Sequence, residues 1–158
     1  MRKLFQTVVH LQIRRRWLSA RVLTWAGGDF QWEGVPEAFL GTDSKGRISA
    51  RSVDDAYLAP HGAGRLFTAF AHPRTIIDGF DDTIHVVRHC IRQGGYRPRS
   101  KNLTFVVQIL DQWEGGLSDI ERRALTEMCR ECGAKTVRFA EGPHALTPPE
   151  ILHIVKAH

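Results

Sequence analysis

An α/β fold with a mixed sheet is the architecture this sequence predicts, on three observations. The opening residues alternate apolar and polar between turn signals, in "TVVHLQI" (7–13), "LSARVLTWA" (18–26) and "FQWEG" (30–34). "NLTFVVQILD" (102–111) is a near-continuous apolar run, the mark of a strand buried on both faces. It leads into "GGLSDIERRALTEMCRECGA" (115–134), a helix, and "KTVRFAEGP" (135–143), a strand. A right-handed crossover makes the two strands of that unit parallel, so an antiparallel start is joined to a parallel end.

The elements follow in order. The first two strands meet at Arg14, Arg15 and Arg16, and Gly27, Gly28 and Asp29 turn the chain into the third. "VPEAFLGT" (35–42) reads as another strand and "SKGR" (44–47) as a turn, so the opening quarter is an antiparallel meander. "SVDDAYLAPHGAGRLF" (52–67) mixes a short helical pattern with a Pro- and Gly-rich loop, and "RTII" (74–77) is strand-like. "FDDTIHVVRHCIRQGG" (80–95) predicts a helix. Ile84, Val87 and Ile91 recur at helical spacing, Val86 and Cys90 widen the stripe, Asp81 or Asp82 caps the start, and Gly94 and Gly95 end it. In the next helix Ser118 and Glu121 have capping-box spacing, and Gly133 closes it. "TPPEILHIVKAH" is a final helix with proline in its first turn. No internal repeat or low-complexity segment occurs.

The totals bound the function. A chain of 158 residues suits one domain over 1–158 with a real core, and 42% apolar and 25% charged residues are ordinary for a soluble protein. A net charge of +5 favours anionic partners but, spread over a surface, is no strong nucleic-acid signal. No stretch reaches the ~18–20 apolar residues of a membrane span. The start lacks a signal-peptide pattern, and three cysteines, an odd number, argue against a secreted disulfide framework. The expected location is the cytoplasm.

Several clusters could carry chemistry, and most have a plainer explanation. "CREC" holds Cys129 and Cys132 at a helix end, where the dipole does not activate a thiol. A tetrahedral zinc site would need further ligands, and only Cys90, His89 and His144 are at hand. His85 and His89 lie four apart without the acidic partner of a metalloprotease helix. Asp78, Asp81 and Asp82 lack calcium-loop spacing and suit helix capping. Asp111 and Glu114 stand at the carboxyl end of the buried strand, a location ligands favour, but two carboxylates oppose an anion there. No metal site and no complete catalytic constellation is predicted.

The segment "RPRSKNLTFVVQILDQWEGGLSDIERRALTEMCRECGAKTVRFAEGPHA" resembles the first domain of the MreB family, the rod-shape-determining bacterial homologues of actin. "SDIERRAL", "CGAKTVRF" and "AEGPHA" follow the family's order and near-matching spacing. "IIDGFDDTIHVVRHCIRQ" is similar to the segment and helix before them, and "MRKLFQ" to the family's short N-terminal segment. The likeness is strongest at 97–145 and faint at 35–70.

The resemblance implies a single actin-like subdomain I of the actin/Hsp70, ribonuclease H-like type: a mixed sheet flanked by helices, with room for a rudimentary insertion around 40–70. The family hydrolyses ATP between two halves, using a phosphate hairpin in each, and polymerises along membranes. Its first hairpin reads Asp-Leu-Gly-Thr, and the aligned residues here are Gln12, Ile13, Arg14 and Arg15. The acid that acts on magnesium through water and the small residues that admit phosphate are both replaced. The sequence ends before a second half would begin. Glu121 matches the family glutamate that positions water, and Glu141 and Pro143 match its Glu-Glu-Pro loop, whose second glutamate is Gly142 here.

The expectation is a non-catalytic, MreB-like, half-length pseudo-ATPase acting as a protein-interaction module in cell-shape or cytoskeletal organisation, with no cofactor. Its partner would be an actin-like filament protein or a second copy, drawn to apolar surface that a missing half leaves open. One alternative is an ATP site with magnesium completed by homodimerisation, with Arg14–Arg16 taking the phosphates. Another is a module for anionic lipid or nucleic acid, in which Arg14, Arg15 and Arg16 act with Arg2, Lys3, Phe5 and Trp17. That alternative includes contact of the N-terminus with the inner-membrane surface.

Overall fold

The computed structural model describes residues 7–24, 29–56, 64–97, 102–111 and 116–157. Strands β1 (Thr7–Arg14) and β2 (Trp17–Leu23) form a hairpin with Arg14 opposite Trp17, and β3 (Asp29–Gly34) extends it antiparallel. Strands β4 (Glu37–Thr42), β5 (Ile48–Arg51) and β6 (Gly64–Thr68) follow, with the single-turn helix α1 (Val53–Ala56) after β5. Helix α2 (Phe80–Gln93), strand β7 (Leu103–Ile109), helix α3 (Asp119–Glu131), strand β8 (Ala134–Ala140) and helix α4 (Pro148–Lys156) complete the order.

The main sheet has the strand order β3-β2-β1-β7-β8, with β7 parallel to both β1 and β8. It is the mixed sheet that the strand–helix–strand pattern predicts. Strand β7 lies between two partners and is buried along almost its whole length, which is why it carries few polar side chains. On one face Leu11, Ile13, Phe105 and Val107 join the inward residues of α2 and of α3 (Leu125, Met128, Cys129) in the principal core. On the other, Ile151 of α4 packs with Val8 and Val106.

Three expectations are corrected. The meander ends at β3, because β4 pairs with β5 and β6 in a second sheet of order β5-β4-β6. Pro36, which has no N–H for a ladder, lies at the break, and its carbonyl accepts from Ala69 at 2.8 Å. Residues 74–77 form no strand. The His72 Nδ1 accepts from the backbone N–H of Arg74 and of Thr75, both at 3.1 Å, and Thr75 Oγ1 donates to the Ile77 carbonyl. These local bonds satisfy the backbone without a sheet.

The third correction concerns the start of α2. Its N-cap is Gly79 at φ 78°, with no side-chain cap, so neither Asp81 nor Asp82 serves there. Asp82 instead pairs with Arg65 of β6 at 2.5 Å, which ties the small sheet to the helix.

The capping box of α3 is present, and a second, Thr147 with Glu150, starts α4. Cys90, Cys129 and Cys132 are free and buried. Burial pushes the Cys90 and Cys132 thiols up to about 12 and the Cys129 thiol well above its usual value. They behave as small apolar core residues, and among the described residues no group of three His, Cys, Asp or Glu side chains could hold a metal. No described helix is long and apolar enough to cross a membrane.

Candidate functional site

The hairpin between β1 and β2 turns at Arg15 and Arg16, and its backbone is held at both residues. The Arg15 N–H donates to a carboxylate oxygen of Asp111 at 2.6 Å, just past the end of β7. The Arg16 N–H donates to the Phe70 carbonyl at 2.9 Å. Arg16 has φ 57°, a left-handed conformation that costs a residue carrying a Cβ roughly 1 kcal/mol relative to glycine. Phe70 shares that conformation, so two strained residues hold each other.

Arg14, Arg15 and Arg16 are exposed, and the Arg14 guanidinium lies 5.5 Å from the centroid of the half-buried Trp17 ring. Among the described residues no carboxylate stands at ion-pair distance from these three guanidinium groups.

Behind the turn lies a buried polar network that spans two strands and a loop. Gln108 on β7 is fully buried. Its Oε1 accepts from Gln12 Nε2 at 3.0 Å and from His10 Nε2 at 3.2 Å. Its Nε2 donates to the carbonyls of Gly142 and His144 at 2.8 and 2.7 Å. All four hydrogen-bonding positions of the amide are filled, and the two carbonyl acceptors fix its orientation. That orientation in turn places the proton of neutral His10 on Nε2.

Burial lowers the His10 pKa, and the charge of Arg21 lowers it further against the opposing effect of the Gln108 bond. The folded chain therefore prefers neutral His10. The unfolded chain takes up the proton first as pH falls below about 6.5. Stability should be full above that value, fall as the pH drops through it, and level off once folded His10 is protonated. Urea unfolding at a series of pH values should show this slope, and His10→Gln should flatten it. A carboxylate such as Asp29, held low by its bond to Arg21, contributes only at more acidic pH.

Beside the turn a cleft of about 440 Å³ opens over the carboxyl ends of β7 and β8, the position ligands favour in such sheets. Its walls include Leu110, Asp111, Arg122, Phe139, Glu141 and Pro143. The Arg122 guanidinium stacks 5.2 Å from the Phe139 centroid and reaches Glu141 at 3.9 Å. Glu121 turns away from this chemistry: its Oε2 accepts from the N–H and the hydroxyl of Ser118, at 2.8 and 3.0 Å.

The fold thus brings Arg14, Arg15 and Asp111 together, with Ile13 in the core beneath and Glu141 and Pro143 across the cleft. His89 is elsewhere, with its Nε2 3.4 Å from Ser52 Oγ. Glu114, Arg2, Lys3 and Phe5 lie outside the described residues. Strand β1 puts Thr7, where the N-terminal segment joins, about 23 Å from Arg14.

Sequence reasoning missed Gln108, His10, Arg122, Phe139 and Phe70. A glutamine inside an apolar central strand was the available signal, because such a side chain must find partners.

No protein-family model and no curated protein sequence matches this chain. Solved structures do share its fold. MreB5 of Spiroplasma citri bound to ADP matches at 16% identity and a TM-score of 0.51, over 86% of this chain and 38% of that one. A non-polymerising mutant of MamK bound to AMPPNP matches at 11% identity and a TM-score of 0.53, over 85% and 40%. The chain therefore spans about two fifths of the length of these proteins, and its fold is that of a single actin-like subdomain.

Proposed function

We propose that this chain is a non-catalytic, actin-like interaction module that works beside a cytoskeletal filament, docking on an actin-like filament protein or on a second copy of itself. The engagement of Asp111 with the arginine turn is the observation that carries this reading. A phosphate hairpin offers free backbone N–H groups to an anion. Here the Arg15 N–H is taken by a carboxylate and the Arg16 N–H by a carbonyl. An incoming phosphate would have to displace Asp111 and face its charge. Gln12, at the family's magnesium-linked acid, is neutral and bonded to Gln108, and Glu121 is held in a capping box.

One structural neighbour supports the filament side of the proposal, since it is named as a non-polymerising mutant. A role in cell shape, and a cytoplasmic location, extend the resemblance to the MreB family.

Thermal melting of the chain with and without Mg-ATP tests the nucleotide part. Saturation at a hundred times Kd would add about 2.7 kcal/mol, a rise of several degrees for a chain of this size. The expected shift is none. A rise of several degrees would overturn the non-catalytic reading in favour of an ATP site completed by dimerisation. Sedimentation velocity over a concentration series, alone and with an actin-like filament protein, tests the association part, and a monomer that never joins the filament would end it.

A further inference from the structure

We infer that the arginine turn is the contact surface of this module and that it takes an acidic protein segment, one presenting closely spaced carboxylates beside an apolar side chain. The inference rests on the interaction-module reading and names the chemistry of the partner.

Three observations carry it. Arg14, Arg15 and Arg16 follow one another at the end of a single hairpin, and none has a described carboxylate at ion-pair distance. Guanidinium groups bind carboxylates bidentately, and unpaired ones crowded together favour an acidic partner.

The turn is also built rigid. Asp111 and Phe70 hold its backbone, and Arg16 keeps a left-handed conformation that asparagine or glycine would adopt at less cost. A fixed surface loses little entropy on binding.

The rim around the turn is mixed rather than uniformly basic. Trp17 lies under Arg14, and Leu18 pairs with Gly34, so the exposed Val35 leaves β3 beside Trp17. Arginine and tryptophan next to an aliphatic side chain is the composition of a protein-binding hot spot.

The same rim disfavours an extended polyanion. Glu33 lies one residue before Gly34, Asp111 lies at the turn, and the exposed Glu141 lies across the adjoining cleft. A bilayer surface or a nucleic-acid strand laid over the arginines would meet these carboxylates. A short acidic segment need reach only the three guanidinium groups.

The test uses the full chain and two labelled synthetic peptides of equal length. One carries clustered glutamates around a leucine, and in the other every glutamate is glutamine. Fluorescence anisotropy at moderate salt should show the glutamate peptide bound about tenfold or more tightly than its amide counterpart. The triple variant Arg14→Gln, Arg15→Gln, Arg16→Asn should lose that preference. A control, Lys45→Gln, Arg51→Gln, Arg97→Gln, removes the same charge at exposed positions away from the turn and should keep it. Thermal melts establish that both variants fold.

Equal binding of the two peptides, no binding, or equal losses in both triple variants would each overturn the inference. So would phosphatidylglycerol vesicles or a random oligonucleotide held more tightly than the peptide through the same arginines. If the peptide fails while the chain still joins a filament or a second copy, this surface falls and the module reading stands. A melting rise with Mg-ATP beside intact peptide binding gives the reverse.

Discussion

Gln108→Leu should lower the free energy of unfolding by about 2–4 kcal/mol, although it removes a polar side chain from the interior and keeps the volume. The cost comes from what Gln108 leaves behind. His10 is buried and loses the acceptor for its Nε2–H. Gln12 is half-buried and recovers part of its bond from water. A stranded buried donor costs about 1–3 kcal/mol. The carbonyls of Gly142 and His144 belong to exposed residues and rehydrate, but the loop loses its anchor to the sheet. Amide exchange should therefore quicken around residues 142–145. Urea unfolding with hydrogen exchange measures both effects. A loss below about 1 kcal/mol with unchanged loop protection would show that the network is not stabilising.

Phe105→Ala should cost still more, about 3–5 kcal/mol. Phe105 is the largest of the fully buried side chains among the described residues, at 1% exposure, and its strand is the middle of the parallel trio, with Val9 and Val137 as neighbours across the ladder. It belongs to the cluster shared with Val86, Leu125 and Met128, so the cavity would open between sheet and helices. Against a total stability of about 5–15 kcal/mol, such a loss leaves a substantial unfolded fraction on mild warming. The midpoint of urea unfolding should fall while its slope stays the same, and a drop of under about 1.5 kcal/mol would mean the core collapses around the gap.

These two residues mark what the sequence could and could not disclose. Phe105 was legible, because a continuous apolar run flanked by helical patterns means a central strand. The start of α3 was legible for the same kind of reason: Ser118 and Glu121 at the right spacing satisfy each other's backbone whatever surrounds them. Strands β5 and β6 were not legible, since they are only four and five residues long and largely exposed.

Strand β4 was recognised but placed in the wrong sheet, because periodicity reports a strand and says nothing about its partner. The candidate site divides in the same way. The substitutions at Gln12–Arg15 could be read against a family pattern. The capture of Arg15 by Asp111 joins residues 96 apart and depends on the parallel register of β1 with β7. His10 and Gln108 meet through that register too.

The parallel pairing of β1 with β7 also sets how the chain must fold. Its first strand is central in the sheet, and the second of its two main-chain partners is made almost a hundred residues later, with the whole small sheet and α2 in between. At synthesis rates of about 5–20 residues per second, β1 waits roughly 5–20 s on the ribosome before β7 exists. During that time the β1–β2–β3 hairpins, joined by α2 once it is made, must shelter the residues that later face Phe105 and Val107. Pairings this distant in sequence place the chain among slow folders, in the millisecond-to-second range rather than microseconds. The passage most exposed to misassembly is thus the interval before β7 emerges.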